Sequence, residues 1–230
     1  MTASGSLPRA LISKIALGVS ARAAVGMGGE TADLRGDAYG HGVLETARIV
    51  QEAGIRRVLV DDEATAVRLH GLGLDAVTDE EADIDGIRLY GLPGSGLTSA
   101  MTLTGRILSV KPLRAGEAVS YGYTHRASHD TLIALVTGGY AQGIVRALGN
   151  AAHVEVGGAL RPIVGRVAMD VCVIDLQTPE LIGAPPSTVA YFGGNGQVRD
   201  GLSAWADVTG MGVAELVSVA GSKAVREWIR

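Results

Sequence analysis

In the run TADLRGDAYGHG, residues 31–42, an acid, a phenol and an imidazole stand at alternate positions as Asp37, Tyr39 and His41. A phenol and an imidazole within reach of one another can take and return a proton as general base and acid. A second run, YGYTHR at 121–126, carries Tyr121, Tyr123, His125 and Arg126. On an extended segment, alternation puts Tyr121, Tyr123 and His125 on one side. Arg126 then supplies a cation for a carboxylate or enolate. Both clusters also have plainer readings. Asp37 can cap a helix beginning near Gly42, and the tyrosines can sit half-buried at an interface with their hydroxyls in water. Arg35 offers a fixed cation for an anionic substrate, or a simple salt bridge to Asp33 or Asp37.

The elements that must position these residues change in kind along the chain. ARIVQEAG (47–54) has helical spacing and ends on a glycine, and RRVLVD (56–61) reads as a short β-branched strand. DDEATAVRLHGLG (61–73) reads as a helix opened by acids and stopped at Gly71, and GIRLYGL (86–92) as a further strand. Strand–helix alternation of this sort predicts βα units with parallel strands. After Leu97 come short strands separated by Gly, Pro and Asn turns, which predict a compact β domain. From Leu202 the pattern turns helical again. The division falls near residue 97, with an α/β part over 1–96 and a β part with a helical tail over 97–230.

Composition narrows the partners. Of 230 residues, 47% are apolar and only 19% charged, enough for a sizeable core in one large or two small domains. A net charge of −4 with no basic stripe argues against nucleic acid and against an anionic membrane surface. The single Cys172 allows no internal disulfide and no Cys-rich zinc site, and reads as a buried, inert thiol. His70, His129 and His153 have no metal-ligand spacing, so no metal is expected. No run approaches the ~18 apolar residues that span a bilayer. Lys14 interrupts LISKIALGVSARA where a signal peptide should be cleanest, and a cytoplasmic protein is expected.

MTLTGRILSVKPLRAGEAVSYGYTHRA (101–127), GGYAQGIVRALGN (138–150) and PIVGRVAMDVCVIDL (162–176) resemble the C-terminal domain of alanine racemases. GDAYGHG (36–42) resembles their pyridoxal phosphate (PLP) motif, and DGIRLYGL (85–92) the last strand of their (β/α)₈ barrel. The resemblance implies a homodimer acting on a small molecule, in which the β domain of one subunit closes over the barrel mouth of the other. It also implies that Tyr121 is the catalytic tyrosine. Arg166 and Met169, in GRVAMD, then line the carboxylate site and the substrate entrance, and Tyr39 reaches the cofactor phosphate.

Three departures bear on the chemistry. Where the family carries its PLP-bearing lysine this chain has Arg35, and a guanidinium is not deprotonated in proteins and forms no imine. The chain's lysines, Lys14, Lys111 and Lys223, lie elsewhere. Where the family places an arginine on the pyridine nitrogen, Ile84 offers no hydrogen bond. A (β/α)₈ barrel takes roughly 250 residues, and the stretch before the β part leaves room for about three parallel strands. Their open edges and apolar faces must be covered by the β domain, the tail or another subunit.

The expectation is therefore an α/β remnant of a (β/α)₈ barrel joined to an alanine-racemase-like β domain, dimeric and without a cofactor. Tyr39, Tyr121 and His125 would serve as acid–base groups for an isomerisation or cyclisation. Arg35, Asp37, His41, Tyr123, Arg126, Arg166 and Met169 would hold the substrate at a dimer-interface cleft. A non-catalytic regulatory partner and a residual PLP-dependent racemase are the alternatives.

Overall fold

The computed structural model describes residues 7–120, 122–181, 183 and 186–230. Strand β1 (Arg9–Ser13) runs straight into helix α1 (Lys14–Gly26), whose first turn is closed by the Ser13 hydroxyl accepting from the Ala16 N–H at 3.1 Å. There follow β2 (Thr31–Asp33), the turn α2 (Arg35–Tyr39), α3 (Val43–Glu52), β3 (Arg57–Leu59), α4 (Glu63–His70) and β4 (Asp75–Val77). β2, β3 and β4 form a parallel sheet in that order, with Thr31 beside Arg57 and Arg57 beside Asp75. The acids at the start of α4 act as the sequence suggests: the Asp62 carboxylate accepts from the Thr65 N–H at 2.8 Å.

One face of this sheet is apolar and the other is not. Ala32, Val58 and Ala76 join the core formed with Leu17, Ala47 and Leu69 of the helices. Arg57 and Leu59, of opposite parity, point away from the helices. The segment 78–83 runs across that second face. Glu80 pairs with Arg57 at 3.0 Å, and the Asp83 carboxylate accepts from the N–H groups of Thr31 (2.8 Å) and Glu30 (3.1 Å). Ile84 then lies parallel to β2, donating to the Thr31 carbonyl and accepting from the Asp33 N–H, both at 3.0 Å. Leu59 is left 2% exposed. The chain's own connecting segment thus ties β3 to the β2 edge, a contact the sequence reading did not include. At the free edge of β4, His70 Nε2 donates to the Ala76 carbonyl at 3.0 Å.

The strand expected at 86–92 is instead the helical turn α5 (Gly86–Leu89). The Asp85 carboxylate accepts from the Arg88 N–H at 2.8 Å and winds the chain, so only Ile84 pairs with β2.

The β part is organised by β5 (Met101–Leu113). β6 (Ala118–Val119) and β7 (His125–Arg126) form a small ribbon beside it, followed by β8 (Thr131–Thr137), β9 (His153–Val156), β10 (Ala159–Pro162), β11 (Val171–Asp175) and β12 (Thr188–Phe192). The first half of β5 lies between β1 and β12, and its second half pairs with β8, which carries β11. After α6 (Gly201–Thr209) and α7 (Val213–Lys223), the tail expected to be helical ends as strand β13 (Val225–Ile229), parallel to β1. Its β-forming Val225, Trp228 and Ile229 lie beside an edge that would otherwise be unpaired. β1 pairs with β5 and β13, so the N-terminal strand crosses the division drawn near residue 97.

Candidate functional site at the mouth of the parallel sheet

β2 and Leu34 deliver Arg35 to the C-terminal end of the parallel strands, where ligand sites of α/β folds gather. The chain then turns left-handed: Gly36, Asp37, Ala38, Tyr39 and Gly40 all have φ between 52° and 77°. The turn is closed by the Gly40 N–H donating to the Gly36 carbonyl (2.9 Å) and the Gly42 N–H to the Asp37 carbonyl (2.8 Å). Glycine adopts this form freely, but Asp37, Ala38 and Tyr39 each cost on the order of 1–2 kcal/mol against a right-handed turn. Such strain persists where the surroundings over-determine the backbone. Here the Asp61 carboxylate accepts from the Gly36 N–H at 2.7 Å. The Asp37 carboxylate accepts from the Val43 N–H at 2.8 Å, capping α3, and also from Arg226 of β13.

The turn swings Tyr39 back over the sheet. Its phenol donates to Asp33 Oδ2 at 2.9 Å. Arg35 grips the same carboxylate two-fold, Nε to Oδ1 at 2.9 Å and Nη2 to Oδ2 at 2.7 Å. The Tyr39 ring lies against Gly86, where a Cβ would come within 2.5 Å of it. Burial pushes the Asp33 carboxyl up, but the bonds from Arg35 and Tyr39 outweigh it and hold it below its ordinary value of 3.8. Burial and the bond to Asp33 push the Tyr39 phenol up to about 12. A phenol so raised and already donating is poorly placed to take a proton at neutral pH.

His41 is fully buried and stacked on Tyr90, ring centroids 4.3 Å apart. Its Nδ1 lies 2.9 Å from the Ala38 carbonyl and 3.1 Å from that of Tyr39, so Nδ1 carries the proton and donates. Burial pushes this imidazole down to about 4. With no surface to offer a substrate, His41 serves the turn, in place of the substrate contact expected of it.

The second cluster is built differently. Tyr121 lies outside the described residues. Ser120, Gly122 and Tyr123 have positive φ and are not extended, so the expected strand alternation of Tyr123 with His125 does not operate. Tyr123 is exposed, His125 is half-buried with Nε2 unpartnered, and Arg126 donates to the Gly116 carbonyl at 2.9 Å. A hollow of about 500 Å³ is lined by Tyr123, Arg166, Ala168, Leu135, Val171 and Val173, among others. Met169 is exposed. Among the described residues, none from 33–41 lines this hollow.

Of the two salt-bridge partners the sequence offers Arg35, the structure selects Asp33, at the end of β2, while Asp37 goes to Arg226. Nothing in the sequence pointed to Arg226.

Fold and site together define a mixed α/β protein with a β domain appended to a short parallel sheet. The family model described as alanine racemase, C-terminal domain, matches residues 100–228, and the chain belongs to that family. Alanine racemase of Mycobacterium avium is 40% identical over 131 residues, 54% of this chain and 34% of the relative. The matched stretch thus spans about a third of that protein's length. Alanine racemase from D-cycloserine-producing Streptomyces lavendulae superposes with a TM-score of 0.83 over 97% of each chain at 19% identity. That from Bartonella henselae, solved with covalently bound pyridoxal phosphate, gives 0.80 over 97% of this chain and 99% of its own at 16% identity. At these identities the likeness shows the fold alone.

These relatives overturn one expectation. A protein without a cofactor was expected, whereas its relatives and structural neighbours are alanine racemases, one of them holding PLP covalently. What stands out in this chain is narrower. At the mouth, position 35 offers a guanidinium, which forms no imine, and both Arg35 and Tyr39 donate to Asp33. Ile84 is fully buried and carries no polar side-chain atom.

Proposed function

We propose that this chain is a non-catalytic member of the alanine racemase family that acts by pairing with a second subunit of the same fold. The observation that carries this reading is the closed knot of Asp33, Arg35 and Tyr39, which occupies the groups that would otherwise meet a substrate. The loops at the sheet mouth are acidic, with Asp61, Asp79 and Asp85, while Lys111 and Arg166 lie at hollows of the β domain. Opposite charges of this kind favour a head-to-tail pairing in which each mouth meets the other subunit's β domain. Tyr123, Arg166 and Met169 would contact the partner there. A cleft between subunits could hold a small molecule.

A PLP-dependent isomerase acting on a small amino acid is the second reading, favoured by the GDAYGHG and YGYTHR runs and by the neighbour that holds PLP. One experiment decides between them. Alanine racemisation is measured with added PLP for the wild-type chain and Arg35→Lys, each alone and mixed with a full-length alanine racemase, while native mass spectrometry follows pairing. Wild-type chain that forms pairs and does not racemise supports the proposal. Racemisation by the wild-type chain alone overturns it in favour of the isomerase.

A further inference from the structure

Five residues in succession, Gly36–Gly40, are held left-handed, and three of them have side chains that resist that form. Contacts to Asp33, Asp61 and Val43 hold part of the turn from nearby, and a second set of contacts comes from the other end of the chain. Arg226, on β13, donates to the Asp37 carboxylate, 189 positions away. Gly40 packs backbone to backbone on α7: a Cβ at Gly221 would lie 2.7 Å from the Gly40 carbonyl oxygen, and one at Gly40 2.8 Å from that of Ser218. β13 is itself fixed to β1 along five residue pairs, by Arg9–Glu227 at 2.8 Å and by the Ser13 hydroxyl donating to the Arg230 carbonyl at 3.1 Å.

We propose that α7 and β13 form a clamp that sets the left-handed turn, so that docking of the C-terminal strand determines where Arg35 and Tyr39 stand. A half-exposed ion pair contributes little on its own. In this arrangement it acts on a backbone already pressed against α7 and capped onto α3 through the same Asp37 carboxylate. Release of β13 removes the cation, lets Asp37 leave the Val43 N–H, and frees the turn to relax to right-handed or extended forms. The inference is independent of whether the chain turns over a substrate.

Native-state amide exchange tests it, read at Gly40, Gly42 and Val43, with Leu69 of α4 as an internal control. Arg226→Gln should raise exchange at the turn at least tenfold while Leu69 is unchanged, and Arg226→Lys should restore most of the protection. Unchanged exchange at the turn in folded Arg226→Gln overturns the proposal, as does a uniform rise that includes Leu69. Should the variant fail to fold, the wild-type chain in sub-denaturing urea decides. The turn and β13 must then exchange through one shared opening, and a turn that opens independently of β13 overturns the clamp.

Discussion

The Arg35 guanidinium lies along the Asp33 carboxylate in a two-point contact, 2.9 and 2.7 Å, with the Tyr39 phenol completing the same carboxylate's bonding. Asp33 is 3% exposed, so its charge is affordable only because this partner is present. A fixed cation at the mouth is therefore already neutralised from within the chain.

Replacing Asp33 tests the knot directly. In Asp33→Asn, Tyr39 loses the nearby negative charge, so its phenol should titrate below about 12. The burial contribution stays, and the value should remain above 10. Tyrosine Cζ chemical shifts followed against pH report this, and a Tyr39 titration identical to wild type would refute it.

Stability should fall as acid is added, in a window set by His41. Its pKa is depressed by burial from 6.5 to about 4, so the unfolded chain binds the proton first. The neutral form's stability is fully present above pH 6.5 and is lost progressively as pH falls to about 4. The full loss is of the order of 3 kcal/mol. Asp33, held below its ordinary value, adds a further loss only below about pH 4. Urea unfolding at pH 7.5 and pH 4.5 should show the difference, and His41→Gln should flatten it.

The connecting segment that ties β3 to the β2 edge makes a graded prediction. Asp83→Ala leaves the N–H groups of Glu30 and Thr31 without their acceptor beside the Ile84 bridge, and should cost about 1–3 kcal/mol. Glu80→Ala breaks only an exposed ion pair with Arg57 and should barely move the urea midpoint. Equal effects from the two substitutions would show that the loop is not held as described.

Gly40→Ala should be among the most damaging single changes at the mouth. The position has φ of 77°, and an added Cβ would fall 2.8 Å from the Ser218 carbonyl oxygen, which is backbone and cannot swing away. Calorimetry should show a loss well above the roughly 1 kcal/mol of a simple left-handed alanine. Gly36→Ala, with open space around its Cβ, should cost only the conformational part.

Local patterns in the sequence determined much of this protein. Asp62 before an amphipathic run specified α4, RVL specified β3, and the alternation of types specified parallel strands, because capping and periodicity act within a few residues. The segments quoted from the β domain likewise sufficed to place the family. What the chain alone left open was decided by contacts between distant segments. GIRLYGL has strand-like composition, yet Asp85 and the approach of Tyr39 to Gly86 wind it into a turn. KAVREWIR has a helical look, yet the free edge of β1 draws Val225–Ile229 into a strand. The sequence placed Asp37, Tyr39 and His41 at alternate positions as though on a strand, whereas tertiary packing set them on a left-handed turn. There Tyr39 reaches Asp33, Asp37 reaches Arg226, and His41 is buried on Tyr90. Spacing names the groups that can do chemistry, but the conformation of a strained turn is set by whatever packs against it, and α7 and β13 lie at the far end of the chain.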